Sequence, residues 1–143
     1  MLYVAGLLLA TAVGMSQPDR VFGFQMFNES STIEISLERR VRRGGKRSVE
    51  PLPDGSWSAR DRNGTVHRFR WTDRVHYGAL GTLGVRRHAS YGLDAQLFRL
   101  KRALEDVLRN IPDDAETEAL IAVVEASRNG RPPERIRLTA VRR

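Results

Sequence analysis

Three hydrophobic patterns divide the chain. Met1–Met15 carries no charge, and its side chains Leu2, Val4, Leu7, Leu8, Leu9 and Val13 fall on every face of a helix. A helix at the surface of a soluble domain shows a polar stripe, so this run predicts an anchor, a signal or a wholly buried helix. Thr32–Val41 alternates instead, with Ile33, Ile35 and Leu37 against Glu34, Ser36 and Glu38. That is the period of a half-buried antiparallel strand. Leu93, Leu97, Leu100, Leu104, Val107, Leu108 and Ile111 recur at three- and four-residue steps, with Phe98 beside the stripe. Arg99, Lys101, Arg102, Glu105, Asp106 and Arg109 take the other side, which predicts an amphipathic helix over Asp94–Asn110.

Shorter signals fill the gaps. Gly44-Gly45 ends the first strand, Asp54-Gly55 marks a turn, and Asn63-Gly64 marks a hairpin between Ser56–Asp61 and Thr65–Trp71. A two-residue loop there would set Trp57 opposite Arg70 and leave Phe69 and Trp71 on the other face. A three-residue loop, with Gly64 left-handed, sets Trp57 opposite Phe69 and Ala59 opposite His67. One apolar face results, and this is the predicted register.

Tyr77–Ser90, with Gly78, Gly81 and Gly84, reads as a mobile connecting loop. It lacks the Gly-Lys-Ser/Thr of a phosphate-binding loop. Thr117–Ser127 mixes helix-favouring Glu, Ala and Leu with strand-favouring Ile121, Val123 and Val124. The turn signal Arg128-Asn129-Gly130-Arg131, followed by Ile136, Leu138 and Ala140 in alternation, decides for strand–turn–strand. The predicted class is α+β, a hydrophobic N-terminal helix and then an antiparallel sheet of about five strands covered by one amphipathic helix. Residues 1–17 form the anchor, 18–31 an aromatic connector, and 32–143 a single domain.

Charge changes this picture only locally. The formal net charge is +7, and all but Lys46 and Lys101 of the 24 basic residues are arginine. A basic surface attracts polyanions. The acids are interspersed, however, as in Glu38-Arg39, Arg60-Asp61-Arg62 and Asp73-Arg74. That pattern fits GC-rich coding and a solvated surface, and it argues against nucleic acid as the partner. Only Arg39–Arg47 is a dense cluster, which makes Arg39, Arg40, Arg42, Arg43, Lys46 and Arg47 the candidate contacts to a polyanion, whether lipid headgroup or nucleic acid. As the exposed end of a strand, the same arginines would discourage edge-to-edge aggregation. There is no cysteine, hence no disulfide and no thiolate metal site.

Fifteen residues of helix cover about 22 Å, against roughly 30 Å of hydrocarbon in a bilayer. With Ser16 and Gln17 the run just reaches across. As a signal peptide it lacks a positive n-region, and Ala10-Thr11-Ala12 and Ala12-Val13-Gly14 are its cleavage candidates. Pro18 ends the helix. Phe22, Phe24, Met26 and Phe27 follow, either as an interfacial aromatic belt or as a plug for the domain core. These four, with Leu2, Val4, Leu7, Leu8, Leu9 and Val13, are the candidate contacts to a bilayer or a partner.

Val21-Phe22-Gly23-Phe24-Gln25-Met26-Phe27 after a short apolar helix, together with Ala89-Ser90-Tyr91-Gly92 before an amphipathic one, resembles small bacterial envelope proteins. Those are similar in layout to accessory partners of polytopic membrane proteins of the HTTM (vitamin K-dependent carboxylase-like) and DoxX kinds. The resemblance implies a neighbourhood, beside a larger membrane protein in a bacterial envelope. It implies no catalytic residue. The apolar run itself predicts a single-pass location; near its end only Arg20, offset by Asp19, bears on orientation, and the domain is expected outside the cytoplasm.

The residues themselves assemble no catalytic constellation. His67, His76 and His88 are nine and twelve positions apart, without a compact metal-ligand spacing, and no G-x-S-x-G elbow occurs. Neither metal nor cofactor is expected. His67 with Asp61 and Asp73 nearby has the makings of a general base, although an ordinary surface histidine is the commoner case. Asp113-Asp114 reads as helix-end capping. The expected function is a non-catalytic, membrane-anchored accessory protein. The alternatives are a polyanion-binding domain and an enzyme with an unrecognised site.

Overall fold

A computed structural model describes residues 30–143 apart from Tyr77 and Ser90. The expected anchor and all but the end of the aromatic connector, including every candidate membrane contact from Leu2 to Phe27, lie outside the described residues. In chain order the elements are β1 (Ser31–Arg43), β2 (Lys46–Leu52), β3 (Ser56–Arg60), β4 (Val66–Arg70), β5 (Arg87–His88), α1 (Leu93–Arg109), β6 (Thr117–Arg128) and β7 (Glu134–Val141).

The alternating stretch forms β1, the centre from which the sheet grows on both sides. Along one edge β6 runs antiparallel to it, with Ile33 opposite Ala126, Ile35 opposite Val124 and Leu37 opposite Ala122. Beyond β6 lies β7. The other edge of β1 is shared by β5, at Thr32 and Ile33, and by β2, from Leu37 to Arg43. The result is a five-stranded sheet of order β2-β1-β6-β7, with β5 beside β1.

The α+β class, the antiparallel sheet and its single described helix agree with expectation, but the membership of the sheet does not. β3 and β4 form a separate two-stranded sheet, and β2 and β5 take the places at β1. Gly44-Gly45 ends β1 as expected, and the chain turns straight back into β2. At φ 57° and 77° the pair supplies the two left-handed residues of a tight hairpin turn, setting Arg43 opposite Lys46. β2 escapes a reading by periodicity because almost all of its side chains are exposed, leaving no buried face to alternate.

The separate hairpin has the predicted register. Trp57 lies opposite Phe69 and Ala59 opposite His67, with Gly64 at φ 84° and Asp61 N donating to Thr65 O at 2.9 Å. The Trp57 and Phe69 rings stack at 5.6 Å between centroids and face the core.

Helix α1 covers the sheet face that carries Ile33, Ile35 and Leu37, burying Leu93, Leu100, Leu104, Val107 and Leu108. Each such side chain contributes roughly 1.5–3 kcal/mol. Leu97 is only partly buried and Phe98 is 68% exposed, so the stripe is narrower than the heptad pattern suggests. Among its described residues the connection after β4 contains a 3-10 turn, Gly78–Gly81, and β5, and it buries Leu80 and Ala89. Trp71, wholly buried, donates from Nε1 to Leu80 O at 2.8 Å.

Strand β6 explains the mixed signal of 117–127. It is, with β1, one of the two inner strands, and it is buried on both faces: Leu120, Ala122, Val124 and Ala126 belong to the main core, while Ala119, Ile121 and Val123 are buried on the opposite side. A strand covered on both sides shows no alternation for a sequence reading to find.

Candidate functional site

The end of the molecule where the β1–β2 arch meets the β3–β4 hairpin gathers most of the basic side chains singled out in the sequence. Arg39 stands on the inward face of β1 and is 2% exposed. The expectation that Arg39 belongs to an exposed basic end is therefore corrected, and strand parity is the reason. Positions 33, 35, 37, 39 and 41 all point into the core.

A buried guanidinium needs partners on every side. Arg39 Nε donates to Glu50 Oε2 at 3.0 Å, Nη1 to Thr117 Oγ1 at 3.1 Å, and Nη2 to the Ser58 carbonyl at 3.1 Å. The Thr117 hydroxyl donates in turn to Asp114 Oδ2 at 2.5 Å. Asp114, fully buried, also accepts from Trp57 Nε1 at 2.8 Å and from the Glu116 and Thr117 amides at 3.0 and 2.8 Å. Asp114 is thus more than a helix-end cap. It ties the hairpin, through Trp57, to the start of β6 and, through Thr117, to β1.

The outer side of the arch is a set of ion pairs. Register shifts between Arg40 and Val41, so that Glu118 is the extra residue of a β-bulge in β6. Its carboxylate meets Arg42 Nε at 2.9 Å, Arg47 Nε at 3.1 Å and Arg40 Nε at 3.5 Å. Arg43 pairs with Glu50 at 2.7 Å and with Glu116 at 3.3 Å. The hydrogen bond to Glu116 raises the Arg43 pKa further above its already high value. Burial pushes the Glu50 carboxyl up, but the charges of Arg39 and Arg43 and their hydrogen bonds outweigh it and hold the group below its ordinary value. Of the six residues expected to meet a polyanion, Arg39 is buried and Arg40, Arg42, Arg43 and Arg47 are ion-paired. Lys46 is exposed, and among the described residues it has no salt-bridge partner.

Between the arch and the hairpin runs a groove of about 660 Å³, with Arg42, Arg43 and Glu116 on one wall and Ser58, Arg60 and Asp61 on the other. Asp61 Oδ2 lies 2.7 Å from His67 Nε2, while Oδ1 accepts from the Asn63 and Thr65 amides, each at 2.9 Å. The His67 bond, ahead of those amides, holds the Asp61 carboxyl below the usual aspartate range. Of the acids named beside His67 in the sequence, Asp61 is the one in contact. A carboxylate–imidazole pair is the orienting half of a general base. Here it staples the hairpin turn, and among the described residues no cluster of three potential metal ligands occurs.

No match was found among protein-family models, curated proteins or solved structures. The site therefore stands on its own geometry. Its least legible members are Glu116 and Glu118, which lie far from their arginines in sequence, 73 positions in the case of Glu116 and Arg43, while Glu50 meets Arg43 across the β1–β2 turn. The only signal that could have found them is the pairing of strands itself. The outward face of the hairpin carries Arg60, Arg68 and Arg70, none of them among the residues expected to meet a polyanion.

Proposed function

We propose that the protein is a non-catalytic accessory domain held at a bacterial membrane and in contact with a larger membrane protein. The observation that carries this is the uncharged run Met1–Met15, followed by Phe22, Phe24, Met26 and Phe27. Among the described residues no helix is long and apolar enough to cross a membrane. On this reading anchorage falls to residues 1–17, and the aromatic segment meets the interface or the partner.

The end of the domain nearest that segment supports the reading. Ser30 is pinned to the β6–β7 turn: Asn129 N donates to Ser30 O, and Ser30 N donates to Asn129 Oδ1, both at 2.8 Å. β5 pairs with Thr32 and Ile33 just beyond, so Arg87 and His88 lie at this end, all exposed together with Val85, Arg86 and Tyr91. Tyr91 adopts φ 64°, a conformation that is costly for a bulky residue, and the Arg99 guanidinium lies 5.3 Å above its ring. Aromatic rings and arginine head groups are the side chains that settle at a membrane–water interface.

Washing membranes with carbonate tests the anchor. The full chain is expected in the pellet, and a chain lacking residues 1–27 in the supernatant. Release of the full chain would refute it. A photo-crosslinking side chain in place of Phe24 tests the partner. A crosslink to a polytopic membrane protein is expected, and crosslinks to lipid alone would refute the accessory role.

A further inference from the structure

We infer that the outward face of the β3–β4 hairpin is a binding strip for a nucleic-acid backbone, read by charge and not by sequence. The inference is independent of the anchoring proposed above. The register fixes the strip. Trp57 and Phe69 point inward, so Ser58 and Arg60 on β3 and Arg68 and Arg70 on β4 point out. Arg68 and Arg70, two residues apart on one strand, are separated by about 6.7 Å along it. Arg60 lies opposite Val66 and so diagonally from Arg68, at about 7–8 Å. Arg62 extends the row into the turn, and all four arginines are exposed.

What sets this row apart is the absence of neutralisation. Around the arch, Arg40, Arg42, Arg43 and Arg47 are each held by a carboxylate. Among the described residues no acid lies within salt-bridge distance of Arg60, Arg62, Arg68 or Arg70. The one carboxylate in the hairpin, Asp61, is turned into its own loop by two backbone amides and His67.

The shape of the strip selects its ligand. Arginine and serine are the side chains that hold phosphate oxygens and set position without reading bases. A protein partner would need an aromatic or apolar anchor at the centre of the face, and the only exposed large apolar side chain here is Val66. A bilayer surface is two-dimensional, whereas these guanidinium groups form a single row. The hairpin also lies against the Arg39 end of β1, through the bond to Ser58, whereas the described chain begins at the opposite end.

The test is fluorescence anisotropy of the full chain in non-ionic detergent with a labelled duplex DNA of about 20 base pairs, long enough to offer phosphates to the whole row. Four phosphate contacts predict a log Kd against log salt slope near 3.6, following about 0.9 per neutralised phosphate. Replacing Arg60, Arg68 and Arg70 together by Gln is expected to lower that slope by about 2.7 and to weaken binding more than tenfold in dilute salt. The double variant Arg42→Gln/Arg47→Gln is the control, expected to shift Kd less than about threefold, because those side chains are already paired. Circular dichroism of each variant establishes that it is folded. A triple variant with unchanged affinity and slope would overturn the inference. So would an equal loss in the control, or binding to phosphatidylglycerol vesicles without binding to the duplex.

Discussion

Replacing Asp114 by Asn changes one atom in the most deeply buried polar side chain among the described residues, and the hydrogen bonds set the outcome. Asp114 accepts four: two amides on Oδ1, and Trp57 Nε1 and Thr117 Oγ1 on Oδ2. An asparagine keeps only one of the two oxygens. If its amide nitrogen takes the Oδ1 place, it faces two backbone donors. If it takes the Oδ2 place, it faces the Trp57 indole N–H, while the Thr117 hydroxyl can rotate to accept. The second arrangement is the less costly. It forfeits one hydrogen bond to a charged acceptor, about 1.5–3 kcal/mol, and leaves a buried donor unpaired, about 1–3 kcal/mol. D114N should therefore cost about 3 kcal/mol, or roughly 12 °C in Tm at about 4 °C per kcal/mol for a domain of this size.

Trp57→Phe removes the same hydrogen bond from the other side, and should cost about 2 kcal/mol. Because W57F also removes the donor that D114N offends, the double variant should cost less than the sum, by about 1–2 kcal/mol. Urea unfolding followed by far-ultraviolet circular dichroism measures all four species, since that signal does not depend on the substituted tryptophan. D114N within about 0.5 kcal/mol of the parent, or additive costs, would show that the Trp57–Asp114 link does not hold the hairpin to β6.

Two glycines separate backbone strain from crowding. Gly45→Ala should cost about 1–2 kcal/mol, the penalty of a left-handed conformation, because an added Cβ meets nothing within 4 Å. Gly55→Ala should cost about 2 kcal/mol more, because its Cβ would lie 2.8 Å from Leu83 Cδ1 and 3.1 Å from Trp71 Cβ; thermal denaturation ranks the two, and the reverse order would refute the packing argument. Glu118→Gln leaves Arg40, Arg42 and Arg47 without their shared carboxylate, and should destabilise by about 1 kcal/mol in dilute buffer, with a deficit that shrinks in high salt. A deficit independent of salt would mean that Glu118 acts by shape. The Asp61 carboxyl, titrated by carbon NMR, should have its midpoint below the ordinary aspartate value and move up toward it in His67→Ala. Since the folded-state pKa is lowered, the stabilisation is in force above the ordinary value and is lost as pH falls through the lowered one. An unmoved midpoint in His67→Ala would show that the backbone amides, not His67, lower it.

The elements with strong local periodicity were legible in the sequence. Leu93 to Leu108 defined the helix, Ile33 to Leu37 defined β1, and the need to place Trp57 with Phe69 chose a three-residue turn over a two-residue one. What escaped depends on partners remote in the chain. β2 has no buried face of its own, and it is a strand only because the edge of β1 is open to it. Arg39 reads as one more member of a basic run, yet strand parity and the side chains of Glu50 and Thr117 make it an interior residue. The hairpin arginines are scattered through a stretch that also contains Asp61, so linear spacing hides that the acid turns inward while the bases line up. Counting charges along the chain does not show which of them are neutralised, because strand pairing decides that.

The place of β6 at the centre of the sheet has a consequence for how the chain is made. β1 ends at Arg43, and the strand that completes it on one side ends at Arg128. At about 5–20 residues per second of synthesis, β1 waits roughly 4–17 s for that neighbour. During the wait the β1–β2 hairpin has one bare edge, and Ile33, Ile35 and Leu37 on its inward face lack the α1 and β6 side chains that pack on them in the folded domain. Pairings so distant in sequence are also slow to form once both strands exist. The long alternating strand that organises the folded domain is therefore its most aggregation-exposed segment during birth, and its many arginines serve there as gatekeepers before any carboxylate of β6 has arrived to meet them.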